Sequence, residues 1–408
     1  MVFALRPISH FDTIPSLRPQ SLGAAMHWLL QSFVVVLIGF AFGDSKPIEQ
    51  RDESGVLRMK REVRDDGHGG QIRQGYETHY FSDGSESSKY HYQDDELDGR
   101  WHEWYSGHKL KAEGGYRKGE KDGTETHYLP TGEKIQQTDY KNGQQHGKKL
   151  EWSGTTHQKT LDADYFEGQL HGKLQLWYSD GTPKAFSNFV HGQEEGVQQM
   201  WHENGKLASQ IEFHDGQKSG SAREWFDNGQ IAMQSRYRNG VVQGTLTQWY
   251  RDGAKRSEVS YVNGETQGSL TQWYDSADNP VVKTVANYDH GRINGVQFTY
   301  YESGKKRTQE TARDGEKQGP WAEWYETGQV KSKGVYKDDQ LDGPVWFYYE
   351  DGKQWAVNCY TKGSRNGRWA ELDRDGKLIR DQMFSQGVLV SDEIKKAAAK
   401  AKEAAAKN

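Results

Sequence analysis

The chain has 408 residues, with 53 Lys and Arg against 58 Asp and Glu and a formal charge of −5. Hydrophobic residues make up only 33 % while aromatics reach 12 %, so a large aliphatic core is excluded and so is the aromatic-poor composition of a disordered chain. The near-neutral balance argues against a nucleic-acid-binding face, and the single Cys359 can form neither an intramolecular disulfide nor a cysteine-based zinc site.

From Pro19 to Gly43 no side chain carries a formal charge, and Trp28 to Phe42 is an apolar run of 15 residues. That is short for a membrane-spanning helix, which needs about 20, and fits the apolar region of a signal peptide. Ala41-Phe42-Gly43 ahead of Asp44 has the small residues of a signal-peptidase site. Arg6 and Arg18 supply positive charge if Met1 is the start, whereas a start at Met26 gives a leader of 18 residues without Lys or Arg before the apolar run. Residues 1–43 are expected to form a hydrophobic helix, either a cleaved signal peptide or a membrane anchor, with the rest exported or held outside the cytoplasm. A buried apolar segment is the third reading.

Residues 44–74 carry Ser54-Gly55 and Asp66-Gly67 and read as a linker or a degenerate capping repeat. Beyond them a register of anchor glycines begins: Gly75, Gly99, Gly123, Gly147, Gly172, Gly196, Gly220, Gly244, Gly268, Gly295, Gly319, Gly343 and Gly367. Every spacing is 24 residues except one of 25 and one of 27. Five residues after every anchor but the last, where Leu372 stands, is an aromatic residue, including Trp104, Trp152, Trp177, Trp201, Trp225, Trp249, Trp273 and Trp324; the next position is often Tyr or Phe. A second glycine follows in pairs such as Asn228-Gly229 and Asp252-Gly253. A polar, alternating stretch then closes on an aromatic such as Tyr165, Tyr237 or Tyr261, and a third glycine leads on to the next anchor.

Asp-Gly and Asn-Gly pairs favour positive φ and two-residue hairpin turns, and the flanking segments suit strands. The expectation is an all-β chain: an elongated, single-layer antiparallel sheet of about thirteen tandem β-hairpins over residues 75–390. The Gly-x-x-x-Gly segment serves as the reversal between hairpins. Repetition sets each tryptophan beside its equivalents, so the eight named above are candidate members of a ladder that packs the sheet or, if exposed, binds a ligand. Three extra residues between Gly268 and Gly295, near Ala277 to Pro280, read as a longer loop. Residues 391–408 are rich in Ala and Lys and read as a short solvated helix capped by Ser391.

The pattern Tyr-x-x-Gly-x-x-x-Gly-x(4)-Trp-Tyr-x-x-Gly resembles the variant MORN repeat. Tyr116 to Gly123 and Gly319 to Gly328 are good instances, and the resemblance covers about Gly75 to Gly387. It implies a row of β-hairpins used as a scaffold, and it extends to a bacterial family labelled YwqK-like antitoxins, which implies a partner toxin.

The histidines, among them His102, His146, His171, His191, His202 and His214, recur irregularly without metal-ligand spacing, and Asp65 to Gly70, a single copy of a Gly/Asp stretch with only a faint likeness to calcium turns, reads as a flexible linker. No nucleophile elbow, phosphate loop or dinucleotide fingerprint occurs. No catalytic residue, metal or cofactor is therefore expected. The expected function is a non-enzymatic scaffold for a protein partner or an envelope polymer. The alternatives are an antitoxin-like neutraliser and a carbohydrate or cell-wall binder using the aromatic ladder. The apolar N-terminal segment would tether it to the membrane if uncleaved. Open sheet edges favour dimers.

Overall fold

The computed structural model describes residues 45–276 and 278–406, so the hydrophobic helix expected over residues 1–43 lies outside the described residues. Among the described residues there are 35 strands and one helix. None of those residues forms a helix long and apolar enough to cross a membrane.

The chain divides into two compact units between Lys109 and Leu110. The first holds β1 (Lys46–Arg51), β2 (Leu57–Asp65), β3 (Gln71–Tyr80), β4 (Glu86–Gln93), β5 (Glu96–Leu97) and β6 (Gly99–Tyr105). β1 pairs with β2, β2 with β3, β3 with β4, and β4 with both β5 and β6, all antiparallel. Residues 46–65 are thus paired strands of the sheet. In the second unit strand follows strand in the same antiparallel manner, as far as the last, Val388–Asp392.

Each repeat is one hairpin, and its register is constant. The anchor glycine stands opposite the closing aromatic: Gly172 opposite Phe189, Gly220 opposite Tyr237, Gly244 opposite Tyr261. Gly295 departs from this, facing Ala312. On its other side the anchor sits in an irregularity of the ladder. Gln234 faces Thr247 and Arg236 faces Gln243, so three residues on one strand oppose a single residue on the other. Every anchor glycine has a positive φ, from +74° at Gly244 to +115° at Gly99. This is a bulge built on a left-handed residue, and it is why the position is glycine.

The two kinds of turn are distributed differently from the sequence expectation. At Tyr250 to Ala254 the Tyr250 N–H donates to the Ala254 carbonyl at 2.8 Å, and the Gly253 N–H to the Tyr250 carbonyl at 3.1 Å. Gly253 has φ +97°, whereas Arg251 and Asp252 have ordinary negative φ. That is a three-residue turn closed by a left-handed glycine, not a two-residue turn. The aspartate serves through its side chain, which accepts the Ala254 N–H at 2.9 Å. Two-residue turns with both residues at positive φ fall instead at the third glycine, as at Asn239 (+48°) and Gly240 (+77°), with Arg238 paired to Val241. The reversal between repeats therefore takes two residues, and the remainder of Gly-x-x-x-Gly is strand. The extra residues after Gly268 fall in a longer loop closed by the Tyr274 N–H on the Val281 carbonyl at 2.9 Å.

Many of the buried positions are small side chains, beside larger ones such as Met59, Trp101, Leu161 and Ile211. Two residues before the closing aromatic stand Thr138 (2 % exposed), Ala163 (0 %), Ser235 (2 %) and Ala286 (2 %). Larger residues often face them across the hairpin, Lys149 opposite Ala163 and Leu270 opposite Ala286. Alternating large and small residues lets neighbouring rings and aliphatic stems close over the backbone.

The helix α1 (Glu393–Ala406) buries no residue. Its cap is Asp392, whose carboxylate accepts the Lys395 N–H at 3.1 Å. The side chain that accepts a first-turn N–H is thus Asp392 and not the expected Ser391.

Candidate functional site

Trp152, Trp177, Trp201, Trp225, Trp249, Trp273 and Trp324 each end the first strand of a hairpin, Trp104 stands one residue before the end of β6, and all eight are half-buried. Among the described residues no ring contact joins one of them to another, so they do not stack on their equivalents as the sequence suggested. The reason is spacing: two strands per repeat separate equivalent rings by roughly 9–10 Å, beyond stacking distance. Lysines of the preceding repeat fill part of the gap. Lys159 lies over Trp177 at 5.9 Å, Lys255 over Trp273 at 5.8 Å and Lys306 over Trp324 at 5.9 Å. The closing aromatics are capped similarly, by Lys121 over Tyr140 at 4.8 Å, Lys218 over Tyr237 at 5.3 Å and Lys317 over Tyr336 at 5.1 Å. Each such contact contributes about 0.5–1 kcal/mol at an exposed site.

The position after the tryptophan links one repeat to the next. Tyr178 donates its hydroxyl to the carbonyl of Trp201 at 2.9 Å, Tyr250 to that of Trp273 at 2.9 Å and Tyr301 to that of Trp324 at 2.8 Å. His202 meets the carbonyl of Trp225 through Nε2 at 2.8 Å. These bonds use carbonyls at strand ends. Burial raises the Tyr178 and Tyr250 hydroxyls above their ordinary pKa, so they remain donors. The sequence showed the aromatic at this position but not its reach into the next repeat. The mixture of Tyr and His there was the available signal, because both have a polar tip on a flat ring.

A second linkage was not anticipated. The residue eight before several anchors is acidic, and its carboxylate closes the bulge. Asp139 accepts the Lys148 N–H at 2.9 Å, and Asp164 accepts the Lys173 N–H at 3.0 Å. A Cβ on Gly172 would come within 2.9 Å of Asp164, so the bare glycine also makes room for its cap.

Several charged side chains on the sheet are paired. The Lys148 ammonium lies 2.9 Å from Asp162 and 2.7 Å from Asp164, which hold its pKa up. Burial pushes Glu125 up, but the His127 ring at 2.8 Å and the Lys121 ammonium outweigh it and leave the carboxyl below its usual range. Burial and the hydrogen bond to Glu113, 2.7 Å away, push Tyr128 up to about 12. Glu195, His214 and Asp215 form an exposed cluster in which Glu195 accepts from the His214 ring at 2.9 Å and from the Asp215 N–H at 3.0 Å. Cys359 is half-buried, with its Cβ 3.0 Å from the Cβ that Gly367 lacks.

This geometry defines a tandem β-hairpin repeat protein. Three segments, residues 194–215, 293–314 and 317–338, match the MORN repeat variant. Each match begins two residues before an anchor glycine, at Gly196, Gly295 and Gly319, so these three hairpins match the MORN repeat variant in the register described above. None of the curated proteins matches the chain. Among solved structures, a Tc holotoxin pore from Photorhabdus luminescens is similar at 10 % identity, over 84 % of this chain and 23 % of that one, with a TM-score of 0.15. The TcdB2-TccC3 complex without its hypervariable C-terminal region is similar at 10 % identity, over 84 % and 20 % respectively, with a TM-score of 0.16. This chain spans less than a quarter of the length of either.

Proposed function

We propose that this protein is a non-enzymatic scaffold, exported or membrane-tethered, whose hairpin array presents a sheet surface to a protein or an envelope polymer. The observation that carries this reading is the constancy of the hairpin register. It repeats the same surface positions at a fixed spacing, so a partner meets a row of equivalent side chains. Some of these are exposed apolar residues next to the bulges, Tyr76, Val197, Val296 and Val335. Exposed side chains of this kind on a polar sheet suit a contact surface. The tryptophans suit ligand stacking less well, since they are half-buried and several already lie under lysines. Cross-linking mass spectrometry after affinity purification from the native host tests the reading. A partner cross-linked at lysines flanking the exposed strand positions is expected. Robust turnover of a substrate, abolished by one point substitution, would contradict it.

A further inference from the structure

The repeat anchored at Gly220 differs from its neighbours in charge. An open groove of about 540 Å³ is lined there by Glu212, Ser221, Arg223, Arg236, Arg238 and Gln243. Arg236 stands between Ser221 on one neighbouring strand and Gln243 on the other. Ser221 and Arg223 are two residues apart on one strand, and Arg236 and Arg238 on the next, so all four share a face. The three arginines are exposed, and among the described residues none has an ion pair or a side-chain hydrogen bond. At the position after other anchor glycines some cations do have acidic partners: Lys148 pairs with Asp162 and Asp164, and Arg368 lies 2.8 Å from Asp381.

The missing acid can be located. Arg236 occupies the position, eight before an anchor glycine, where Asp139 and Asp164 close the bulge in other repeats. A Cβ on Gly147 or Gly172 would meet that aspartate at 2.9 Å, whereas a Cβ on Gly244 would meet nothing within 4 Å. Where those repeats supply their own carboxylate, this one offers a guanidinium, open space and the N–H of Thr245.

We propose that this groove binds the carboxylate side chains of an acidic polypeptide segment in extended conformation. The proposal rests on the scaffold reading and names the partner's chemistry. Residues alternating along an extended chain recur on one face at about 6.8 Å, the same repeat that separates Arg236 from Arg238 along their strand. Acidic residues at alternate positions of the partner therefore meet successive guanidinium forks, each able to take a carboxylate through two N–H bonds. Glu212, held by the Ser221 hydroxyl at 2.6 Å, adds negative charge at one wall. That charge disfavours a phosphate dianion and tolerates single carboxylates offered one at a time.

The test is fluorescence anisotropy of a labelled peptide of alternating Glu and Thr with the full chain. Alongside it are R223Q/R236Q/R238Q and a control of equal charge change, K395Q/K400Q/K402Q in α1. The wild type is expected to bind this peptide and not its Gln-Thr counterpart. The arginine variant should lose about tenfold or more in affinity and the control less than about twofold. R236Q alone should lose part of it. Absence of binding, or equal losses in the two triple variants, would overturn the proposal. Displacement of the peptide by inorganic phosphate at lower concentration than by free glutamate would overturn the carboxylate assignment. If a host partner cross-links as strongly to the arginine variant as to the wild type, this site is overturned while the scaffold reading stands.

Discussion

Glu167 shows what a single residue contributes to the array. It occupies the first place of a two-residue turn at φ +48°, a left-handed conformation that disfavours most side chains. Asn tolerates it, as Asn142, Asn239 and Asn263 do at the same place in other repeats. Glu167→Asn should raise stability by about 0.5–1 kcal/mol in chemical denaturation. The His214–Glu195 pair gives a pH-dependent counterpart. The hydrogen bond that the His214 ring donates to Glu195 holds the His214 pKa above its ordinary value, while the same contact lowers that of Glu195. For a histidine raised in the folded state, the stabilisation is present below its unfolded pKa and is lost as pH rises through the folded one. NMR titration of His214 should show the elevated pKa, and Glu195→Gln should return it towards the ordinary value.

At the scale of the hairpin, the period and the antiparallel pairing were legible because glycine and aromatic positions recur with so little drift. The turns were harder to place. Asn-Gly and Asp-Gly occur at both ends of the hairpin, and the dipeptide alone does not distinguish a residue held at positive φ, such as Asn239, from one whose side chain accepts an N–H two residues on, such as Asp252. The carboxylate caps were illegible for a related reason. Asp139 and Asp164 look like ordinary exposed strand residues until the bulge brings an N–H beside them. Asp164→Ala should cost about 1–2 kcal/mol through the unmet Lys173 N–H, whereas Asp164→Asn should recover most of that loss. The links between repeats make an opposed pair of predictions. Tyr250→Phe removes the bond to the Trp273 carbonyl and should destabilise by about 0.5–1.5 kcal/mol. Phe226, which occupies the same place one repeat earlier, should gain a comparable amount on Phe226→Tyr by reaching the carbonyl of Trp249. Thermal denaturation of both variants distinguishes a shared linking position from two unrelated aromatics.

Over the whole molecule, stability is spread along the array and not concentrated in a core. Small buried residues, half-buried rings and cations over those rings recur in successive hairpins, so each repeat is held chiefly by its neighbours. The sequence suggested the tryptophans as the core because they are the largest regular apolar feature. It did not show that their spacing is too wide for stacking, nor that Thr138, Ala163 and Ser235, with Ile211 and Val259, occupy the inner positions. Trp249→Ala should accordingly cost about 2–3 kcal/mol, below the value for a fully buried ring. The most direct test of the account is to excise residues 244–267, one full period, and to compare the product with a chain lacking residues 244–255, half a period. The full-period deletion restores the register by joining Gln243 to Gly268, and its circular dichroism should keep the β-sheet spectrum and a cooperative melt close to that of the parent chain. The half-period deletion should lose cooperativity. Equal damage from both deletions would contradict a sheet built from interchangeable hairpins.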